Sequence, residues 1–350
     1  MTNGISAMKA ARLYQLNKPL RVEECPIPKV GNGEVLLKVK ACGVCGSDLT
    51  IIKGGIKGTL PCTLGHEIAG IVVDVGKGLL NAIIGMRAVV FIAIGCGKCV
   101  ACSRGEVFCC SRGAERIGIT QDGGFAEYVL VPAANLIPLP ESLSFEAGAV
   151  LTDAVATCLH ALEDVAKIAS GETVAVFGIG GLATSAIQIA KMHKCRVLAI
   201  SRSKAKLDLA LSLGADEAIV GGDTGSVIRS IRRKTNNVGV EVALQLVPDP
   251  EVDEQALASL ATFGRAVLVG FTSRPFQASS LALILNQSAV VGSRGMTRDN
   301  ILRAIHLVEQ DAIRVEPLLQ MQRPLGAINA VLEEFRAGKL VRAVIRPEEH

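Results

Sequence analysis

The 350-residue chain has no tryptophan, two tyrosines and nine phenylalanines. So few flat rings leave little material for a base-stacking platform, which argues against single-stranded nucleic-acid binding. A basic patch is missing as well. Its 37 Lys and Arg stand against 33 Asp and Glu, a net charge of +4 without clustering, and that excludes the footprint of a nucleic-acid protein. No membrane-length apolar run stands out, although mean hydropathy is +0.41. Of two long uncharged stretches, Thr173–Ala190 is broken by Gly178, Gly180 and Gly181; Pro275–Ser293 carries Pro275, Gln277, Asn286, Gln287 and serines. Neither supplies the roughly 20 mostly apolar residues of a spanning helix. Met1–Ala10 lacks the apolar core of a secretory signal, and no internal repeat or low-complexity linker is visible. The expectation is a cytoplasmic protein with no membrane and no nucleic-acid partner.

Cysteine, by contrast, is plentiful. Eleven thiols in a cytoplasmic chain read as metal ligands and buried side chains rather than a disulfide framework. The length predicts two domains. Met1–Ala7 reads as an extension. From Met8 to about Pro140 the text is a series of short strands, over 34–40, 68–75, 87–94 and 126–131, punctuated by glycine and proline. Strands at such spacing without helices between them predict a small β-barrel-like domain. A helical pattern follows over 145–169. Strand-like runs at 173–177, 196–200, 218–220, 240–246 and 266–269 then alternate with helices near 182–193 and 204–213. Unbroken apolar strands alternating with helices predict a parallel sheet covered on both faces. The expected fold is therefore α/β. The β-barrel-like domain comes first and the parallel-sheet domain second, and the tail after about Ala289 could belong to either.

Three constellations carry chemistry. Cys96-x2-Cys99-x2-Cys102-x7-Cys110 can wrap one tetrahedral ion completely, as structural zinc sites do; the adjacent Cys109 is an alternative fourth ligand. Gly95, Gly97 and Gly105 permit the tight turns around such an ion. Cys45 and His66, followed at once by Glu67, offer half of a zinc shell, and catalytic zinc keeps three protein ligands with one open position. The third constellation is Gly178-Ile179-Gly180-Gly181-Leu182-Ala183, between a buried strand and a helix, where free N–H groups can receive a pyrophosphate. The next strand ends Ile200-Ser201-Arg202-Ser203-Lys204 with no carboxylate. An acid there holds the ribose of NAD, and an arginine accepts the 2′-phosphate of NADP. NADP(H) is thus favoured over NAD(H), the alternative being that Arg202 and Lys204 are solvated loop charges.

Taken together, Gly43-Val44-Cys45-Gly46-Ser47-Asp48, Gly65-His66-Glu67-Ile68-Ala69-Gly70, the four-cysteine lobe, Asp122-Gly123-Gly124-Phe125-Ala126-Glu127-Tyr128 and the glycine turn resemble the zinc-dependent medium-chain dehydrogenase/reductase family, alcohol dehydrogenases in particular. The likeness runs from Met8 to about Pro347. It implies a GroES-like β-barrel catalytic domain over 1–154 and 290–350, with a structural zinc lobe at about 95–112, and a Rossmann doubly wound parallel sheet over 155–289. It also implies two zinc ions per chain, a small alcohol or carbonyl substrate, and a homo-oligomer, tetramer or dimer. It implies that Cys45 and His66 bind the catalytic zinc, with Asp153 as third ligand at a position about 25 residues before Gly178. Asp48 would orient His66, Glu67 would lie close to the metal, and Ser47 would accept the alcohol proton. Around the cofactor the likeness implies roles for Thr157 beside the nicotinamide, Val269 and Val291 at its carboxamide, and Arg342 at the pyrophosphate. Gly178, Gly180, Gly181 and Leu182 form the turn, with Ser201, Arg202 and Lys206 facing the ribose and its phosphate.

One departure stands out. Relatives often pass the proton on to a histidine three residues after the serine, and here that position is Thr50, which cannot act as a base near neutral pH. The proton then leaves by another route or through water. Two other readings compete: a metal-independent enoyl- or quinone-type reductase of the same superfamily, and a non-enzymatic nucleotide or redox sensor.

Overall fold

The computed structural model describes residues 6–79 and 83–348. The chain divides into two compact units, 1–153 with 297–350, and 154–296.

In the first unit the strand Glu34–Val44 organises the sheet. It pairs antiparallel with Glu67–Val75, Tyr128–Pro132 and Ala343–Arg346. Register shifts at Leu36/Leu37 and Val39/Ala41 bend it, as bulges do, and let it serve three partners along its length. Arg87–Val90 and Leu136–Pro138 extend the sheet on one side, and Gln322–Pro324 on the other. Two registers matter for function. Gly43 faces Glu67, and Ala343 faces Val44, so the far end of the chain lies beside Cys45. The tail after Thr297 therefore belongs to this unit.

The second unit is a six-stranded parallel sheet. In space its strands run Glu217–Val220, Arg196–Ser201, Thr173–Phe177, Val240–Gln245, Leu260–Leu268, Ala289–Gly292. Numbered within the unit that order is 3-2-1-4-5-6, the doubly wound dinucleotide-binding arrangement. Its core includes Phe177, Leu198, Val227, Ile231 and Ala243, all wholly buried. The unit ends at Met296 rather than 289, because Ala289–Gly292 completes the sheet against Leu260–Leu268.

The helical run expected over 145–169 ends earlier. Ala166 caps it, and Lys167 adopts a left-handed backbone with φ of 53°, which breaks a helix of L-residues. Within it Leu151–Val155 and His160–Val165 are π-helical turns. The stretch Phe145–Val165 is long and apolar enough to cross a membrane by length and composition, but 83% of its apolar window is buried inside the protein. A mostly buried stretch of this kind is core.

Candidate metal centres and dinucleotide turn

Cys45 ends the long strand and begins the helix Gly46–Ile52. Its backbone N–H donates to Asp48 Oδ2 at 2.8 Å, so Asp48 satisfies one of the helix's open donors. The other oxygen of Asp48 lies 3.2 Å from His66 Nδ1. His66 Nε2 in turn lies 3.1 Å from Ser47 Oγ. Asp48 is completely buried and His66 nearly so. Gly65, at φ 96°, delivers His66 from a turn in which an added Cβ would lie 2.7 Å from the Phe125 backbone nitrogen.

The strand opposite supplies Glu67. Its carboxylate occupies the space that a Cβ on Gly43 would take, 1.9 Å from Glu67 Oε2. Asp153 comes from the π-helical turn Leu151–Val155, a local geometry frequent at functional sites. Cys45 Sγ donates to Asp153 Oδ2 at 3.2 Å. One ligand atom each from Cys45, His66, Glu67 and Asp153 lies within 4.8 Å of the others. A thiol, an imidazole and two carboxylates are donors that zinc accepts.

Arg342 enters the same cluster. Its Nη2 lies 3.0 Å from Asp153 Oδ2 and 2.7 Å from Glu67 Oε1, and it is almost wholly buried. The contact to Glu67 is a charge contact outside hydrogen-bond geometry, and both Glu67 oxygens are buried without a hydrogen bond. Buried carboxylate oxygens of this kind suit a cation. The group formed by Cys45, His66, Glu67 and Asp153 therefore fits a metal ion.

The protonation states follow. For His66, burial opposes the charged ring, but the Asp48 carboxylate and the Cys45 side chain outweigh it and push its pKa well up. Burial likewise lifts Glu67 far above the usual carboxylate range; Arg342 opposes this and Asp153 adds to it. Arg342 is pushed higher still by Glu67, Cys45 and Asp153, against the cost of burial.

The second cluster is Cys96, Cys99, Cys102 and Cys110, again with sulfurs within 4.8 Å of one another. Cys109 is exposed and takes no part, and none of the eleven cysteines is in a disulfide. Gly95 is required by contact: a Cβ there would lie 2.6 Å from Cys102 Sγ. The Cys99 thiol is lowered to about 5, chiefly by the backbone N–H groups of Cys102 and Ser111. Burial, with the neighbouring thiols, raises Cys102 to about 11.

In the second unit Gly178, at φ 90°, follows Phe177, and the helix Gly181–Met192 begins after Gly180. A Cβ on Gly178 would lie 2.1 Å from Val247 Cγ2, whereas one on Gly180 would meet nothing within 4 Å. The first glycine is demanded by packing, and the second leaves open space before a helix N-terminus. Leu182 lies in the first turn of that helix. Ser201 ends its strand; Arg202 is exposed and Lys206 half-buried. Burial lowers the Lys206 pKa. Neither cation has a carboxylate partner among the described residues. Thr157 is buried in the helix Ala156–Leu159. Val269 donates its N–H to the Gln245 carbonyl at 3.0 Å, and Val291 pairs with Val267.

The expected metal ligands thus fall into two clusters in the first unit. Of the expected cofactor residues, Gly178, Ser201 and Val269 stand at or just past the ends of parallel strands, Val291 lies within one, Thr157 and Lys206 lie on helices, and Arg342 belongs to the first unit. Arg342 stands on Glu67 and Asp153, a placement that no local pattern in Gly338–Arg342 discloses. Gly43 was visible only as part of a motif, and its reason is steric. Thr50 turns its hydroxyl back to Gly46 O at 3.2 Å, so it does not continue a chain from Ser47.

The cysteine lobe makes a direct prediction. In metal-free protein at neutral pH, iodoacetamide labels Cys99 well before Cys102, since the thiolate is the nucleophile. Peptide mass mapping over time checks this, and equal labelling contradicts it.

The chain matches the alcohol dehydrogenase GroES-like domain over residues 31–141 and the zinc-binding dehydrogenase domain over 181–310. It is 34% identical to an alcohol dehydrogenase of Geobacillus stearothermophilus over 97% of this chain and 99% of that protein. Two solved structures are similar throughout. One is a putative zinc-binding dehydrogenase from Sinorhizobium meliloti bound to NADP, with 31% identity, TM-score 0.90, and 98% and 100% of the two chains covered. The other is acetophenone reductase from Geotrichum candidum in complex with NAD, with 27% identity, TM-score 0.87, and 98% of each chain covered. With the parallel sheet and the cysteine–histidine–carboxylate cluster already described, these matches establish that the chain belongs to the zinc-dependent medium-chain dehydrogenase/reductase family.

Proposed function

We propose that this protein is a zinc-dependent alcohol dehydrogenase that prefers NADP(H) and interconverts a small alcohol with its ketone or aldehyde. The observation that carries the reading is the convergence of Cys45, His66 and Asp153, with Ser47 beside the histidine. A metal-independent reductase has no use for that set, and a sensor has none for Ser47. Cys45, His66 and Asp153 would hold one zinc, and the four-cysteine lobe would hold a second. The catalytic zinc supplies Lewis acidity that lowers the pKa of an alcohol toward neutrality.

The chain's own residues do the rest. Asp48 fixes the ring of His66 so that Nε2 faces the cluster. The Ser47 hydroxyl, 3.1 Å from that nitrogen, stands where it can take a proton from a substrate oxygen at the open position. Because Thr50 is back-bonded to its own helix, the proton continues from Ser47 to water. The dinucleotide lies across the carboxyl ends of the parallel strands. Its pyrophosphate would meet Gly178, Gly180, Gly181 and Leu182. Thr157, Val269 and Val291 take the nicotinamide end. When bound, the nicotinamide would supply the hydride chemistry.

Two features favour NADP(H) over NAD(H). The ribose position carries no acid to repel a 2′-phosphate, and Arg202 and Lys206, close to Ser201 in sequence, have no carboxylate partner among the described residues. Self-association is favoured by the edge strand Ala289–Gly292 and its neighbouring helix Ser280–Asn286. That helix exposes Leu281, Ile284 and Leu285 by 63%, 70% and 72%, an apolar surface suited to a second copy of the chain.

Kinetics test the reading. Cys45→Ser should lower kcat/KM by at least about a thousandfold, the loss of several kcal/mol of Lewis-acid stabilisation, while the fold survives. An active variant refutes it. Arg202→Ala should raise KM for NADP+ about ten- to a hundredfold, the value of a charge-assisted hydrogen bond, and leave KM for NAD+ nearly unchanged. Equal effects on both coenzymes contradict the assignment.

A further inference from the structure

Gln245 is the last residue of the strand Val240–Gln245 and is completely buried. A primary amide away from water is costly unless both ends are bonded. Here both are. Its Nε2 donates to the carbonyl of Val247, and its Oε1 accepts from the N–H of Gly270 at 3.0 Å. The amide orientation is dictated by these partners, since a flip would set oxygen against carbonyl and NH2 against N–H. The side chain therefore ties the loop after its own strand to the loop after Leu260–Leu268.

That tie holds a tight seam. A Cβ on Gly270 would lie 2.7 Å from the carbonyl carbon and oxygen of Val247, so the two backbones touch. On its other side Val247 presses on Gly178, where a Cβ would lie 2.1 Å from Val247 Cγ2. Leu246 N–H bonds to Phe177 O at 3.1 Å, and Val269 N–H bonds to Gln245 O at 3.0 Å. The Gly270 N–H is shared between the Gln245 side chain and the Gln245 carbonyl, the latter at 3.2 Å. The buried amide thus works with these backbone bonds to hold the spacing between the first glycine of the dinucleotide turn and the segment Val269–Gly270. In an α/β sheet these strand ends are where a dinucleotide lies.

We propose that Gln245 is a positioning residue for the coenzyme. It fixes the distance between the pyrophosphate turn and the segment that receives the nicotinamide, and so favours the whole dinucleotide over its adenosine half. The inference rests on the dehydrogenase reading above. Neither leucine nor an ionised glutamate can do this work: leucine bonds neither loop, and a carboxylate puts a second acceptor against the Val247 carbonyl. A protonated glutamate can, because its O–H replaces the amide donor.

The test uses the full-length protein and equilibrium titrations with NADP+ and with 2′,5′-ADP, the half that carries the 2′-phosphate. If the wild type binds NAD+ more tightly, the pair becomes NAD+ and AMP. Gln245→Leu should raise Kd for the dinucleotide about tenfold or more, while Kd for the half-nucleotide stays within about twofold. Gln245→Glu should bind the dinucleotide nearly as the wild type does at pH 6, because burial favours the protonated acid. Relative to the wild type it should lose affinity by pH 9. This pH arm stands even where the leucine variant fails to fold. Unchanged Kd in Gln245→Leu, equal loss of both ligands, or a pH-flat Gln245→Glu overturns the inference and leaves the dehydrogenase reading intact. A wild type that binds neither dinucleotide overturns both.

Discussion

Everything in the first unit is arranged around a buried charge problem. Glu67, Asp153, His66 and Arg342 lie together almost out of reach of water, with the Cys45 thiol among them. Ionised groups in such a place cost several kcal/mol each unless opposite charges meet them. Arg342 lies against two of the carboxylates, Glu67 and Asp153, and the Asp48 carboxylate favours a proton on His66 while no metal is bound. What remains is a surplus of acceptors, including both oxygens of Glu67. A divalent cation is the natural complement. The bulged strand, the glycine opposite Glu67 and the returning C-terminal strand are the structural means of assembling it.

Arg342 holds Glu67 and Asp153 together, and the five donors of a guanidinium lie in a planar fork that can meet more than one carboxylate. Positioned beside a would-be metal ligand, it keeps Asp153 oriented and offsets part of its charge. The Cys99 thiol and its three partners work differently: backbone N–H groups stabilise negative sulfur, and the loop closes on itself with no position left open.

How much of this was readable from residues alone varied with sequence distance. The four-cysteine lobe was legible because its ligands fall within 15 residues, from Cys96 to Cys110, and spacing alone limits the geometry. The parallel sheet was legible because buried strands advertise themselves as unbroken apolar runs. Asp153 became a candidate only through resemblance, since nothing local separates a ligand from a helix-capping aspartate. The placement of Arg342 was not legible. It depends on pairing between Ala343 and Val44, a contact across most of the chain. Gln245 was hidden for a similar reason: its partners are two residues away on one side and 25 on the other, and a glutamine at a strand end reads as surface. The early stop at Lys167 was missed because a lysine with positive φ carries no compositional mark.

The central claim is that Cys45, His66 and Asp153 hold a metal distinct from the one in the cysteine lobe. The most direct measurement is zinc content per chain of the purified protein by mass spectrometry, for the wild type and for a Cys45→Ser, Asp153→Asn double variant. The account predicts zinc at both clusters, hence about two ions per wild-type chain and about one in the double variant, the lobe keeping its own. A wild type with a single zinc that the double substitution leaves in place would contradict it.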